Sequence, residues 1–452
     1  MENIVDFGKV LKLFNGCGEQ VIGRLRDAVV SNGLARLDKS TREIFLELGD
    51  AILQEVFNQV GESIRFNDES APTCAHCGKP LKFKQMRKMP FRSALTGKSR
   101  DIKSPMMVCE DCHKGMLWMR EVLDLDRDGF TQRLREMSVT AGVMEPFEGA
   151  SEEIMKDLVG VEVSGSKIHT LCQDAGKVAE ALMDEGELGE SRPLVPGEKL
   201  YVEADGGMLH IDGDWHEAKL AMAFPQSSLG EISKDRGAIC HRQVVSTLDD
   251  REDLGEKLFK MVEGYLPKTP DGAPIIAGNV VVLGDGAKWI FNMMEEHLPG
   301  ATFILDWYHM DEHIADVGRV LFPDDEATRK IWCSRKKNLL RKGRVDEMVD
   351  SLLRKSMSLK AGSKEQEAVA ELYKYLDERR GCLKYREARN QGLIIGSGAV
   401  ESAISHVFQQ RMKRSGMRWS HDGAEAMCAL RCAYRSHRGL QAVFATMNRK
   451  VA

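Results

Sequence analysis

Two Cys-x-x-Cys pairs constrain this chain more tightly than any other feature. Cys74-Ala75-His76-Cys77 and Cys109-Glu110-Asp111-Cys112 are separated by 31 residues. Four thiolates supplied by two such knuckles suit one tetrahedral Zn²⁺, and a bound ion would fix both knuckles around itself. Gly78 after the first pair permits the tight turn that a knuckle needs. The chain has eleven cysteines, an odd number, and the others are scattered. That pattern reads as structural metal use in a reducing compartment, not as a disulfide framework. The stretch between the pairs is basic. Residues 81–103 hold eight Lys/Arg against Asp101 alone, which predicts a zinc ribbon with a charged hairpin over 71–120.

A chain of 452 residues predicts two to four units. Residues 1–70 show helical periodicity, as in Ile44, Leu48, Ile52 and Val56. Residues 121–190 read as helices again. Within them, residues 151–179 form two short apolar patterns around Gly160, with Ser164 as a cap, and this predicts a helix-turn-helix. Ser166, Lys167, His169 and Thr170 would then lie near the start of its second helix. A strand-rich region over 195–310 is followed by helices over 311–390 and by a last segment, 391–452. The net charge of -5 hides a second basic run. Residues 402–452 hold nine Lys/Arg against Asp422 and Glu425. Local runs of this kind bind phosphate whatever the total charge. No apolar stretch approaches the roughly 18 residues of a membrane span, and the first residues show no basic-then-apolar leader. The expectation is a cytoplasmic, nucleoid-associated protein with no membrane partner.

Three acids stand at the ends of predicted elements. Leu200, Val202 and Ala204 alternate along a strand, which places Glu203 and Asp205 on its other face, and Gly206-Gly207 is expected to turn the chain. Asn279-Val280-Val281-Val282-Leu283 reads as a strand buried on both faces and ended by Gly284-Asp285-Gly286. Asp285 would lie at its carboxyl end, where α/β proteins put their sites. Gly396-Ser397-Gly398-Ala399-Val400-Glu401 opens a helix with Ser397 as its expected cap. Val400, Ile404, Val407 and Phe408 make the apolar stripe of that helix, and Glu401, Ser405 and Gln409 its polar face. Taken singly, each acid reads as a cap or a solvated charge. Together they suggest three carboxylates converging on two Mg²⁺ or Mn²⁺ ions.

Several runs carry a resemblance. They are Val202-Glu203-Ala204-Asp205-Gly206, Leu283-Gly284-Asp285-Gly286-Ala287-Lys288-Trp289-Ile290, Ile304-Leu305-Asp306-Trp307-Tyr308-His309, and Ile395 through Glu401 continuing to Arg411-Met412-Lys413-Arg414-Ser415-Gly416-Met417-Arg418-Trp419. In these the chain resembles the DDE transposases of bacterial insertion sequences, the Kra type above all, and more distantly the Mutator-like group. The resemblance implies an α/β fold with an RNase-H-like mixed sheet, interrupted by an all-helical insertion and preceded by the zinc ribbon and helical DNA-binding segments. It implies Asp205, Asp285 and Glu401 as the catalytic, metal-holding triad, with Glu203 and Asp306 in reserve. Asp306 and His309 match an Asp-x-x-His that follows the fifth strand, with a role in positioning the site or the DNA. Arg411, Lys413, Arg414 and Arg418 are expected to contact phosphates, with Trp419 packed or stacked beside them. The implied partner is double-stranded DNA, gripped by a homo-oligomer.

Two other readings compete. His309, Glu312 and His313 also fit an inverted zinc-peptidase pattern. A catalytically silent DNA-binding protein derived from a transposase would keep the same acids.

Overall fold

The computed structural model describes residues 5–32, 37–64, 71–233 and 236–449. The first four residues, part of the leader reading, and Lys450 of the second basic run lie outside them. The chain divides into two compact units, residues 1–175 with 444–452, and residues 176–443. Among the described residues no helix is long and apolar enough to cross a membrane.

The first unit begins with two long helices, Phe7–Asn32 and Leu37–Ser63. Three antiparallel strands follow in the order β1 (Lys82–Phe91), β2 (Arg100–Val108) and β3 (Gly115–Leu117). This is the charged hairpin expected between the cysteine pairs. Its far end is the apolar end: Met89, Phe91 and Ile102 are buried with Met119 and Leu125, and Leu53, Phe57 and Val60 of the second helix pack on them. The hairpin loop is tied down by Asp50, a buried carboxylate that accepts the hydroxyls of Ser93 and Thr96.

Gln132–Met144 is a helix capped by the Thr131 side chain. A π-helical segment, Ala150–Val159, stops at Gly160 with φ 81°, and Ser164 then caps the helix Gly165–Asp184 through the Lys167 amide at 3.3 Å. The two-helix outline over 151–179 is therefore present. Lys167 is not turned toward a ligand, however. Its ammonium lies 2.8 Å from Asp126 and 2.5 Å from Asp128, because a half-buried cation is stable only beside opposite charge.

The second unit is built on a five-stranded mixed sheet. Its strands are β4 (Leu200–Ile211), β5 (Asp214–Pro225), β8 (Gln243–Thr247), β9 (Val280–Gly284) and β10 (Thr302–Leu305). The spatial order is β10-β9-β4-β5-β8. β9 runs parallel to β4 and β10, whereas β5 is antiparallel to β4 and β8. A separate hairpin pairs β6 (Leu229–Ser233) with β7 (Arg236–Ile239). The β4–β5 turn is Asp212-Gly213, both at positive φ, as a two-residue hairpin requires. β9 is buried throughout, as its unbroken apolar run predicts.

One expectation fails here. Gly206-Gly207 does not turn the chain but lies inside β4, opposite Lys219 and Ala218. The pair serves close packing. A Cβ on Gly207 would stand 3.0 Å from the Phe408 ring, so a glycine lets the helix that carries Glu401 settle onto the sheet.

After β10 the chain is entirely helical for five segments: Trp307–Leu321, Glu326–Arg341, Val345–Ser358, Lys364–Asp377 and Tyr385–Asn390. It returns to the sheet with Gly398–Ile404, a π turn over Ser405–Gln409, and Gln410–Met412. The helix His421–Arg435 supplies Arg431, which is buried and donates to the carbonyls of His406 and Val407 in that π turn.

The start of β4 is pinned by Glu198, a buried carboxylate. It accepts two guanidinium hydrogen bonds from Arg192, at 2.9 and 2.7 Å, and the amides of Val195 and Ser227 at 3.0 and 3.1 Å. The Arg192 guanidinium, acting against desolvation, holds this carboxyl well below the usual carboxylate range. A depressed folded pKa contributes stability that is present above the unfolded value and is lost as pH falls below it. Glu198→Gln is expected to cost about 1–3 kcal/mol at neutral pH and to flatten the acid limb of the stability curve. Thermal melts from pH 3 to 7 would check this, and an acid limb identical to that of the unaltered protein would contradict it.

Candidate functional site

The four paired cysteines meet. Their sulfurs all lie within 4.8 Å of one another, with Cys74 3.5 Å from Cys112 and Cys77 3.5 Å from Cys109. Both knuckles use the same backbone. The Cys74 amide donates to the Lys79 carbonyl and the Cys109 amide to that of Lys114. The turn residue is Gly78 at φ 71° in the first knuckle and His113 at φ 57° in the second. The His76 amide, with that of Cys77, pulls the Cys74 thiol down to about 6, and the Cys112 amide lowers Cys109. Amides aimed at sulfur favour the thiolate, which is the form that binds metal; the Lys79 and Lys114 amides act in the same sense on Cys77 and Cys112, but burial and the neighbouring sulfurs outweigh them and raise both thiols. This cluster could hold a metal ion such as zinc.

The second constellation is acidic. Asp205 is half-buried in β4, and its side chain accepts the Gly206 amide at 2.7 Å. Burial raises its pKa, the Gly206 amide opposes this, and the charges of Asp285 and Glu401 raise it further. Asp285 and Glu401 therefore both lie within electrostatic range of Asp205. Asp285 stands just past β9 and accepts the Ala287 amide at 2.8 Å. Its own carbonyl accepts the Tyr375 hydroxyl, and the next carbonyl, that of Gly286, accepts Arg379 at 3.0 and 2.8 Å. The helical insertion thus braces the Asp285 loop. Tyr375 and Arg379 were not foreseen, and nothing in their local sequence marks them, because the contact spans about ninety residues.

Glu401 is exposed in the first turn of its helix. What places it is Glu203, which is completely buried and accepts the Val400 amide at 2.8 Å. Burial pushes the Glu203 carboxyl up to about 8, with the Val400 amide pulling down and Asp306 and Glu401 adding to the rise. Glu203 is a positioning group here, not a spare ligand. Ser397, the expected cap, makes no capping bond. Its amide and hydroxyl both donate to Asp306, the hydroxyl at 2.8 Å.

Asp306 is 3% exposed, and its other oxygen accepts the His309 amide at 2.6 Å. Both oxygens are committed inside the protein, so Asp306 does not reach DNA and cannot stand in for Asp285. His309 is half-buried, with its ring edge-to-face against His313 at 4.8 Å. Arg411 is buried as well, 5.5 Å over the Trp419 ring, and is not presented to a phosphate. Trp419 donates to the Met412 carbonyl at 3.0 Å and bridges by its backbone to Ile211, so it docks its loop on β4. Lys413, Arg414 and Arg418 are exposed.

Among the described residues, the four cysteines are the one group of three or more ligands gathered closely enough to hold an ion as they stand. Asp205, Asp285 and Glu401 are not so gathered. Neither are His309, Glu312 and His313, which removes the support for the peptidase pattern.

Known proteins offer a family rather than an activity. UPF0236, described as an uncharacterised protein family, matches residues 116–449. A UPF0236 protein of Caldanaerobacter subterraneus subsp. tengcongensis is 30% identical over 262 residues, covering 56% of this chain and 51% of that protein. A second from the same organism, whose name joins eleven loci, is 26% identical over 262 residues with the same shares. The UPF0236 protein in the vanSb 3' region of Streptococcus gallolyticus is 25% identical over 285 residues, covering 62% of this chain and 58% of its own length. The chain spans about half the length of the curated relatives it matches. This corrects the resemblance drawn from the motifs. The family found is uncharacterised, and it is not described as the Kra-type or Mutator-like transposases. Short runs around strand-end acids do not identify a family, because any α/β sheet that collects carboxylates at its strand ends produces them.

Purified protein is expected to contain about one zinc per chain. Cys109→Ser is expected to lose it and to unfold the ribbon locally, since such sites contribute roughly 10–16 kcal/mol in small fingers. Elemental analysis with limited proteolysis around 74–112 would check both, and metal-free protein with a protected ribbon would refute the assignment.

Proposed function

The chain belongs to the UPF0236 family, and we propose that it is a metal-dependent enzyme that cuts and rejoins double-stranded DNA, acting as the transposase of a mobile element. The observation that carries this reading is the placement of Asp205 on β4, of Asp285 just past the adjacent parallel strand β9, and of Glu401 on the helix whose start is held by Glu203 of β4, with the charges of Asp285 and Glu401 both acting on Asp205. The strand arrangement supports an RNase-H-like core. The antiparallel strands β5 and β8 lie on one side of β4, β9 and β10 lie on the other and run parallel to it, and the helix that carries Glu401 starts on Glu203 of β4. The relatives' names add a second support. One protein encoded at eleven loci of a single genome is what a gene that copies itself leaves behind.

The donor chemistry of the acids fits Mg²⁺ or Mn²⁺. The negative charges of Asp285 and Glu401 raise the Asp205 carboxyl, a repulsion that a divalent cation would relieve, and Asp205, Asp285 and Glu401 would hold two such ions. Bound ions would activate a water or a DNA 3′-hydroxyl and stabilise the leaving oxygen. The chain itself supplies the geometry. Glu203 fixes the Glu401 helix, Tyr375 and Arg379 fix the Asp285 loop, and the exposed Lys413, Arg414 and Arg418 would take backbone phosphates. The exposed Lys84, Arg87 and Lys88 of β1 would dock the ribbon on DNA. Holding two element ends calls for a homo-oligomer.

Asp205→Asn, Asp285→Asn and Glu401→Gln each keep the side-chain shape and remove one metal-binding charge. Nicking of a duplex carrying the DNA that flanks the gene, in Mg²⁺, is expected to fall by orders of magnitude in each, while binding of that duplex persists. Cleavage that survives all three changes would end the catalytic assignment. Duplex binding with no cleavage by the unaltered protein would select the silent DNA-binding reading.

A further inference from the structure

The helices that follow β10 hold a basic cleft. The helix Glu326–Arg341 carries Arg329, Lys330, Arg335, Lys336, Lys337 and Arg341 against Glu326 alone. It packs closely on Trp307–Leu321, where a Cβ on Gly318 would stand 2.6 Å from the Cys333 sulfur. Between the two helices lies a cleft of about 480 Å³. Five cations line it, Arg319, Arg329, Lys330, Lys337 and Arg341, together with Asn338 and no carboxylate. Three of the five have acids behind them: Arg319 pairs with Asp316, Lys330 with Glu326, and Lys337 with Asp311. Arg329 and Arg341 have no ion pair among the described residues. The next helix adds to the same field. Burial, with Arg354 and Lys355 nearby, pushes the neighbouring Lys336 ammonium down to about 8.

We propose that this cleft binds the phosphate backbone of duplex DNA and leads it toward the acids. The inference rests on the reading that the chain acts on DNA, and it names a second part of the protein that grips the substrate. The acids that pair with Arg319, Lys330 and Lys337 do not line the cleft, so its surface presents cations alone, and a polyanion is the partner that Arg329 and Arg341 in particular call for. The dimensions agree. A 16-residue helix is about 24 Å long, roughly the length of seven base-pair steps. The position agrees as well. Arg341 lies 4.9 Å over the Trp307 ring, and Trp307 leaves β10 at the sheet end where the parallel strand β9 delivers Asp285. The Trp307–Leu321 helix also carries His313, whose partner ring, Tyr375 at 4.7 Å, bonds the Asp285 carbonyl.

The test is the Arg329→Gln/Lys330→Gln/Lys337→Gln variant, which keeps helix-forming side chains. Binding of a fluorescent 30-base-pair duplex is followed by anisotropy from 50 to 300 mM salt, in EDTA so that nothing is cut. The log-log salt slope is expected to become shallower by about 0.9 for each lost phosphate contact, and the affinity near 0.15 M to fall tenfold or more, with an unchanged melting temperature. Arg329→Lys keeps the charge and is expected to keep the slope. An unchanged slope in the triple variant overturns the cleft, whether or not the enzyme cuts. A loss seen with single-stranded RNA but not with the duplex overturns it too. Unaltered protein that binds the duplex but never cleaves in Mg²⁺ removes the catalytic reading and leaves a reduced slope in the variant as support for the cleft.

Discussion

A carboxylate buried in the middle of the sheet receives the first amides of a helix that begins almost two hundred residues later. Glu203 accepts the Val400 amide, and the placement of Glu401 on the sheet follows from that bond. Helix N-termini carry unsatisfied amides and a partial positive charge, so a carboxylate is their natural partner. Burial acts in the other direction and pushes Glu203 up to about 8. The helix start is therefore held by a group in a costly environment, and Glu401 follows one residue after the amide it holds. Asp306 reinforces the arrangement from the neighbouring strand end by accepting both the amide and the hydroxyl of Ser397. These two buried carboxylates are occupied inside the protein, whereas Asp205, Asp285 and Glu401 keep part of their surface toward solvent.

The helical insertion has a structural duty toward the same cluster. The loop after β9 presents two carbonyls, and Tyr375 and Arg379 bond both. A glycine-rich loop at a strand end would otherwise sample many conformations. Its bracing by distant helices makes the placement of Asp285 depend on the folding of about ninety intervening residues. These helices therefore share in positioning the Asp285 loop.

The cysteine cluster obeys a different logic. It lies in the first unit and is built from local turns, with each sulfur faced by amides of its own knuckle. That geometry needs little from the rest of the fold, which is why spacing in the chain was enough to find it. The acids needed the sheet.

The pattern of residues alone settled the elements with strong local signatures. The knuckles followed from Cys-x-x-Cys and Gly78, β9 from its unbroken apolar run, the all-helical stretch after β10 from its periodicity, and the helix-turn-helix outline from Gly160 and Ser164. Asp285 was legible as the residue after a strand end and Glu401 as one in a first helical turn, whereas Asp205 lies inside β4 and not at its end. Tertiary structure decided what the neighbouring polar groups do. Gly206-Gly207 reads as a turn in any local window, and only the Phe408 ring above it shows that the pair exists for close packing. Asp306 read as positioning the site or the DNA and Arg411 as a phosphate contact, yet both are buried, with Ser397 bonded to the first and Trp419 packed on the second. A charged side chain carries no local mark of whether its partner is water, DNA or another part of its own chain. That choice is made by packing, where desolvation penalises every charge that does not find a partner.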